Sequence, residues 1–153
     1  MKRFNALALV ALLSTSAAAH MHMPLVVTNA ADAGEGTLRS ALVEAAKRDH
    51  GARVVIATDE DIVIEDSLTY FGEVPLEIIG NGQVVRSSDN VDLLVMANGA
   101  NLSVSDLDFE GPGQFSILNR GDENGEVAGK GIFVDVREDQ TGVVELTLDN
   151  VLV

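Results

Sequence analysis

The fold is decided by the stretch Val26-Val-Thr-Asn-Ala-Ala-Asp-Ala-Gly-Glu-Gly-Thr-Leu-Arg-Ser-Ala-Leu42. The two valines predict a short strand, and the glycine-rich segment after them predicts a tight turn. Thr37 can cap a helix, because its side-chain oxygen can accept a hydrogen bond from a backbone N–H of the first turn. Apolar residues then recur at helical spacing, at Leu38, Ala41, Leu42, Ala45 and Ala46. This spacing predicts a helix over residues 37–47, which Gly51 in the left-handed conformation is expected to end.

After Gly51 the sequence changes to short aliphatic and β-branched runs separated by turn residues. The runs cover residues 54–56, 62–64, 76–79, 84–85, 93–95, 102–104, 132–134 and 146–148. Most of them are shorter than the usual strand of a conventional sheet. No second helical pattern of convincing length follows, so the sequence predicts an all-β fold with one helix near its start.

An internal repeat indicates how these short strands are arranged. Leu102-Ser-Val-Ser-Asp-Leu-Asp-Phe109 and Leu146-Thr-Leu-Asp-Asn-Val-Leu-Val153 share one order of apolar, hydroxyl and Asp/Asn positions, 44 residues apart. This offset predicts two solenoid coils of about 22 residues each. Leu76 begins a similar run 26 residues before Leu102, which predicts one coil with a loop insertion. Asp106 and Asn150 occupy the same place in the repeat and predict a corner, because Asp and Asn tolerate the left-handed conformation.

The opening stretch and the repeats resemble secreted, right-handed parallel β-helix proteins of the pectate-lyase-like type. Such proteins often begin with a strand ending in Val-Thr-Asn, a polar turn and a helix opening on Leu-Arg, as residues 27–29 and 38–39 do here. Residues 129–134 and 146–151 match phrases common in their repeats. The resemblance covers nearly all of residues 26–153. It implies an all-β, right-handed parallel β-helix, a solenoid with an N-terminal capping helix.

The alternative fold is an antiparallel β-sandwich. In that arrangement Gly80-Asn81-Gly82 would form a hairpin turn between the runs at 76–79 and 84–85. The sandwich predicts longer alternating strands and gives the opening helix no role.

The end of the sequence leads to a further expectation. Val153 directly follows an apolar run, whereas the last coil of a solenoid needs a polar covering surface. We therefore expect residues 26–153 to be an incomplete, N-terminal portion of a longer β-helix. The alternative is that this end packs on another subunit.

Residues 1–19 have the pattern of a bacterial signal peptide. Lys2 and Arg3 precede a short apolar run at residues 6–13, and Ala17-Ala-Ala19 offers a cleavage site. The apolar run is too short to span a bilayer, so no membrane span is expected in the mature chain. We expect an exported protein, secreted, periplasmic or at the cell surface, with a flexible mature N-terminus at residues 20–25.

Charge and composition narrow the classes of partner. The net charge of −14 becomes −16 once the signal peptide, with two basic residues and no acidic one, is removed. Such a surface argues against nucleic acid and anionic lipid as partners, because both require a basic surface. The sequence has no cysteine, so core packing alone must stabilise the exported chain.

Two groups of residues are candidates for metal binding. Asp106, Asp108 and Glu110 alternate along one run, so their carboxylates would share a strand face and could bind Ca²⁺. The resemblance to pectate lyases implies the same chemistry, with an arginine as the base. No lyase motif surrounds the arginines here, so no catalytic residue is predicted, and the alternative is a solvated acidic face.

The second group lies at the mature N-terminus. Cleavage after Ala19 would leave His20 with a free amine, and His22 could add a second imidazole for Cu(II). The alternative is a flexible tail of chance composition.

These observations predict an exported structural or adhesion-type β-helix module that presents a surface to a partner or a glycan. One alternative is the N-terminal part of a polysaccharide lyase or glycoside hydrolase of pectate-lyase-like fold. A second alternative is a copper-binding N-terminus on a structural body.

Overall fold

The computed structural model describes residues 23–89, 91–111, 131–136 and 143–153. Within these ranges the chain forms one helix and nine strands. In chain order they are β1 (Leu25–Val27), α1 (Leu38–Ala45), β2 (Ala52–Ile56), β3 (Ile62–Val63), β4 (Leu68–Tyr70), β5 (Leu76–Arg86), β6 (Leu94–Met96), β7 (Leu102–Glu110), β8 (Ile132–Val134) and β9 (Leu146–Asp149).

All strand pairs in the described part of the chain are parallel, and they form two sheets. β1, β2, β5, β7 and β9 lie side by side in the first sheet, where β3 pairs with the second half of β5. β4, β6 and β8 form the second sheet. The chain passes from one sheet to the other in each coil, so the strands stack as a β-solenoid of about three turns. The predicted all-β parallel β-helix with an N-terminal helix is confirmed.

The antiparallel sandwich is wrong, because the proposed hairpin does not form. Residues 76–86 belong to one strand, β5, and both of its halves pair in parallel with β7. Gly80-Asn81-Gly82 is a bulge inside this strand, where the register moves from Ile79 opposite Ser105 to Gln83 opposite Leu107. Three residues of β5 therefore face the single residue Asp106.

The predicted length of the later coils is also wrong. Leu102 pairs directly with Leu146, so the 44-residue offset is one coil rather than two coils of 22 residues. The preceding steps, from Ala52 to Leu76 and from Leu76 to Leu102, are 24 and 26 residues. Stacking fixes which strand residues pair but leaves the connecting segments free to vary in length. An offset between repeats therefore does not give the number of coils.

The corner predicted at Asp106 and Asn150 is confirmed. Both residues have left-handed backbones, with φ of 53° and 54°. The two side chains also meet, because Asn150 Nδ2 donates a hydrogen bond of 2.6 Å to Asp106 Oδ1. The corner is thus repeated in register from one coil to the next.

The core consists of inward-facing aliphatic side chains stacked from coil to coil. Val54, Ile78 and Val104 occupy matching positions on β2, β5 and β7 and are at most 1% exposed. Each side chain removes the apolar surface of the next from water, which is the main favourable contribution to folding.

Helix α1 lies within the predicted 37–47 range and packs against β1, β2 and β4. Thr37 Oγ1 accepts a hydrogen bond of 3.2 Å from the Ser40 N–H and donates one of 2.8 Å to the Gly34 carbonyl. Thr37 is therefore the N-cap, as predicted. The buried face consists of Leu38, Ala41, Leu42 and Ala45.

The expected left-handed stop at Gly51 is wrong. The backbone of Gly51 is not left-handed, and the helix ends at Ala45, followed by the C-cap Ala46 with an ordinary right-handed backbone. The N–H groups of Lys47 and Arg48 donate to the carbonyls of Glu44 and Ala45. These short-range bonds satisfy carbonyls at the helix end, so no glycine is needed there.

Arg39 connects helix α1 to the segment that leads into β4 through hydrogen bonds. Its guanidinium donates to the Asp32 carboxylate at 2.5 Å, to the Ser67 carbonyl at 2.8 Å and to the Asp66 carbonyl at 2.6 Å. The arginine of the opening stretch thus joins the turn before α1 to the turn before β4.

Tyr70, on β4, makes the free energy of unfolding sensitive to high pH. The side chain is fully buried, its hydroxyl donates a 2.9 Å hydrogen bond to the Val74 carbonyl, and burial raises its pKa above the ordinary 10.0. The folded state therefore holds the proton more tightly than the unfolded state does. We expect this contribution to stability to be complete below pH 10 and to fall as the pH rises through the folded-state pKa.

This expectation can be measured at a single residue, because the chain has one tyrosine and no tryptophan. The ultraviolet absorbance of tyrosinate therefore reports Tyr70 alone. Tyr70→Phe should abolish the absorbance change and the associated alkaline loss of stability. An ordinary tyrosine titration in a chain that remains folded would contradict the expectation.

Candidate functional site

A groove of about 610 Å³ crosses the beginnings of four strands of the first sheet, β2, β5, β7 and β9. Arg53, Glu77, Ser103 and Thr147 each contribute to its lining, one from each strand. Met23 and the two prolines Pro24 and Pro75 add apolar surface.

The four strand residues in the groove form a straight row. Arg53 pairs with Glu77, Glu77 with Ser103, and Ser103 with Thr147. On β2, β5 and β7 the neighbours of these residues along the strand are buried in the core, so strand alternation directs the row outward, and Thr147 continues it through its pairing with Ser103. Adjacent strands lie about 4.8 Å apart, which makes the row about 14 Å long. The row runs along the solenoid axis, across the strands.

The two charged members of the row neutralise each other. Arg53 Nε donates to Glu77 Oε2 at 2.5 Å, and both side chains are nearly half exposed. An exposed pair of this kind contributes at most about 1 kcal/mol to stability. Its main effect in the groove is to remove net charge from one half, while Ser103 and Thr147 provide hydroxyl groups in the other half.

The margin of the groove is held by hydrogen bonds between coils. Asn101 Oδ1 accepts a 3.0 Å bond from the Glu145 N–H, and the Leu102 N–H donates to the Glu145 carbonyl at 3.0 Å. At the other end, Arg48 Nη2 donates to the Met23 carbonyl at 2.9 Å. The groove is therefore formed by backbone that the solenoid already fixes.

The acidic residues proposed for calcium lie away from this groove. Asp106, Asp108 and Glu110 all lie on the solvent side of β7, as their alternation predicts. Asp106 Oδ1 accepts the bond from Asn150, and Asp108 Oδ1 accepts one of 2.7 Å from the Leu152 N–H. In the part of the chain that the structure describes, no three His, Cys, Asp or Glu side chains are grouped to hold a metal ion.

The residues proposed for copper, His20 and His22, lie outside the described residues, as does the predicted signal peptide at 1–19. No helix within the described ranges is both long enough and apolar enough to cross a membrane.

The groove cannot be recognised from the sequence alone. Its strand residues come from coils 24, 26 and 44 residues apart, and each occupies an ordinary outward strand position. The one usable signal is the hydroxyl residue that follows the leucine in both copies of the repeat, Ser103 and Thr147.

Comparisons with protein-family models, with curated proteins and with solved structures give no match.

Proposed function

We propose that the chain is an exported structural or adhesion-type β-helix module that binds an extended polysaccharide segment in the groove. The observation that carries this proposal is the straight outward row of Arg53, Glu77, Ser103 and Thr147 across four strands. A ligand in this groove would lie along the solenoid axis and contact several coils.

The spacing of the row favours a sugar chain over an extended peptide. Rungs of a sheet repeat every 4.8 Å or so, whereas an extended peptide advances about 3.3 Å per residue. A peptide laid along the axis would therefore fall out of step with the rungs. A pyranose chain presents hydroxyl groups along its length, which the serine, threonine and glutamate of the row can bind.

Charge supports a neutral or weakly charged glycan. The whole chain carries a net charge of −14, which disfavours polyanionic ligands. Within the groove the Arg53–Glu77 pair is internally balanced, and Glu145 adds one further negative charge to the lining, which also disfavours an anionic ligand. The main attractive interactions with a glycan would then be hydrogen bonds to its hydroxyl groups and contacts with Met23 and the two prolines.

A matched pair of serines tests the proposal. Ser103 lines the groove, whereas Ser105, two residues further along β7, faces outward beside it and does not line the groove. Isoleucine suits a strand at either position. Ser103→Ile should weaken binding to a retained polysaccharide about tenfold, by loss of the hydroxyl and by filling the groove, and Ser105→Ile should leave it unchanged.

The measurement is retention on a panel of immobilised neutral and acidic polysaccharides, followed by titration with the one that is retained. Equal losses in both variants, or retention of the protein on none of the polysaccharides, would contradict glycan binding in the groove. Unsaturated products formed from the same polysaccharides in the presence of Ca²⁺ would support the lyase alternative instead.

The lyase alternative has less support. Oxygens of both Asp106 and Asp108 already accept hydrogen bonds that join β7 to the next coil. A calcium ion on this face would have to compete with those bonds.

Export is part of the proposal and rests on residues 1–19. We expect the protein purified from the outside of the producing cell to begin at His20, as determined by mass spectrometry of the intact chain. A chain that retains residues 1–19 would contradict the signal peptide. The same mature protein, titrated with Cu(II), tests the copper alternative, which requires the free amine of His20.

A further inference from the structure

Two asparagine–glycine dipeptides lie within the described residues, Asn81-Gly82 and Asn98-Gly99. In this dipeptide the backbone nitrogen of glycine can attack the side-chain carbonyl carbon of asparagine. Glycine permits the attack because it has no Cβ atom to obstruct it and few restrictions on its backbone. The surroundings of each dipeptide therefore decide whether it reacts.

Asn81-Gly82 is open to the reaction. Both residues are exposed, and they belong to the bulge of β5 that lies outside the paired register. Gly82 has a φ of 85°, and a Cβ built on it would meet nothing within 4 Å. The Asn81 N–H donates to Gln83 Oε1 at 2.8 Å, which holds the backbone of the bulge. In the described part of the chain, no hydrogen bond restrains the Asn81 side-chain amide.

Asn98-Gly99 is held and partly enclosed. Asn98 Nδ2 donates a 2.6 Å hydrogen bond to the Phe71 carbonyl, and Gly99 is buried with a φ of 60°. Attack here requires the amide to leave its partner and the turn to open first. The free energy required for this local opening lowers the rate of any reaction that depends on it.

We infer that Asn81 is a site of spontaneous deamidation in the folded protein. The Gly82 nitrogen forms a bond to Asn81 Cγ and loses its proton, and the bond from Cγ to the side-chain nitrogen breaks, releasing ammonia. The product is a five-membered succinimide. Water then opens this ring to aspartate or isoaspartate, so the overall change consumes one water and releases one ammonia.

The product adds a negative charge at the corner. The bulge at residues 80–82 faces Asp106, so the new carboxylate lies near an existing one. Isoaspartate also lengthens the main chain by one carbon atom. The bulge already holds three residues opposite one and lies outside the ladder, so the strands on either side keep their pairing.

Peptide mapping of the full chain after incubation at mildly alkaline pH tests the inference. Trypsin cuts after Arg53, Arg86 and Arg120, so Asn81 is the only asparagine of peptide 54–86 and Asn98 lies in peptide 87–120. In the folded protein we expect Asn81 to react about tenfold faster than Asn98. In denaturant the two should react at similar rates, because both are then exposed asparagine–glycine dipeptides.

Asn81→Gln serves as the matched variant and should remove the product from peptide 54–86 without affecting peptide 87–120. Equal rates at Asn81 and Asn98 in the folded protein would overturn the inference. An Asn81 that reacts only after denaturation would overturn it as well.

Discussion

Gly80→Ala should destabilise the protein by about 3 kcal/mol, because the new side chain has no space. A Cβ atom at this position would collide with the Asp106 carbonyl oxygen and lie 2.8 Å from both the Asp106 carbonyl carbon and Leu107 Cβ. The obstructing atoms are mainly backbone, which cannot rotate away as a flexible side chain can. Parallel pairing on either side of the bulge also holds β5 and β7 in place.

Alanine substitutions at two other glycines serve as controls for this prediction. Gly111 has open space around it and no left-handed backbone, so Gly111→Ala should change the free energy of unfolding by less than about 0.5 kcal/mol. Gly82 also has open space, but its φ of 85° disfavours a side chain, so Gly82→Ala should cost about 1–2 kcal/mol. Urea unfolding of the three variants should therefore rank them Gly80, Gly82 and Gly111 in decreasing cost. Equal midpoints for the Gly80 and Gly111 variants would contradict the close approach of the two coils.

The corner also shows which parts of the fold a sequence can predict. Some features depend only on the residue itself and its near neighbours. They include the left-handed backbones at Asp106 and Asn150 and the helix cap at Thr37. Such local requirements restrict which residue types can occupy these positions, so the corner and the helix start can be predicted from the sequence. The three-residue bulge at Gly80–Gly82 depends instead on which strand lies beside β5, and the same residues equally suit a hairpin turn.

The length of a coil and the position of the groove could not be predicted, for a related reason. The link between Leu102 and Leu146 could equally be one long coil or two short ones, because a loop insertion costs little and leaves the paired residues unchanged. The groove requires four strand positions to be in register at once. Until the register is known, Arg53 and Glu77 are ordinary exposed strand residues.

Ile78→Ala should destabilise the protein by about 2–5 kcal/mol, the range for deleting a buried aliphatic side chain. Ile78 is 1% exposed and lies between Val54 and Val104 in the stack. The ladders of β2, β5 and β7 fix the backbone above and below it, so the neighbouring coils cannot close the cavity. The cost should lie in the upper half of that range, because cavities that cannot collapse are the most expensive.

Ile79 and Leu148 separate the effect of burial from that of losing an aliphatic side chain. Ile79 is the next residue of β5 but faces outward and is only partly buried, so Ile79→Ala should cost distinctly less. Leu148 pairs with Val104 on β9 and holds the same inward position, but it is 42% exposed. Leu148→Ala should therefore also cost less than Ile78→Ala.

Stability in a solenoid comes from contacts between neighbouring coils, so a side chain that lies between two coils contributes to two interfaces. Urea unfolding in which all three variants lose the same free energy would show that the stacked interior is not the main source of stability.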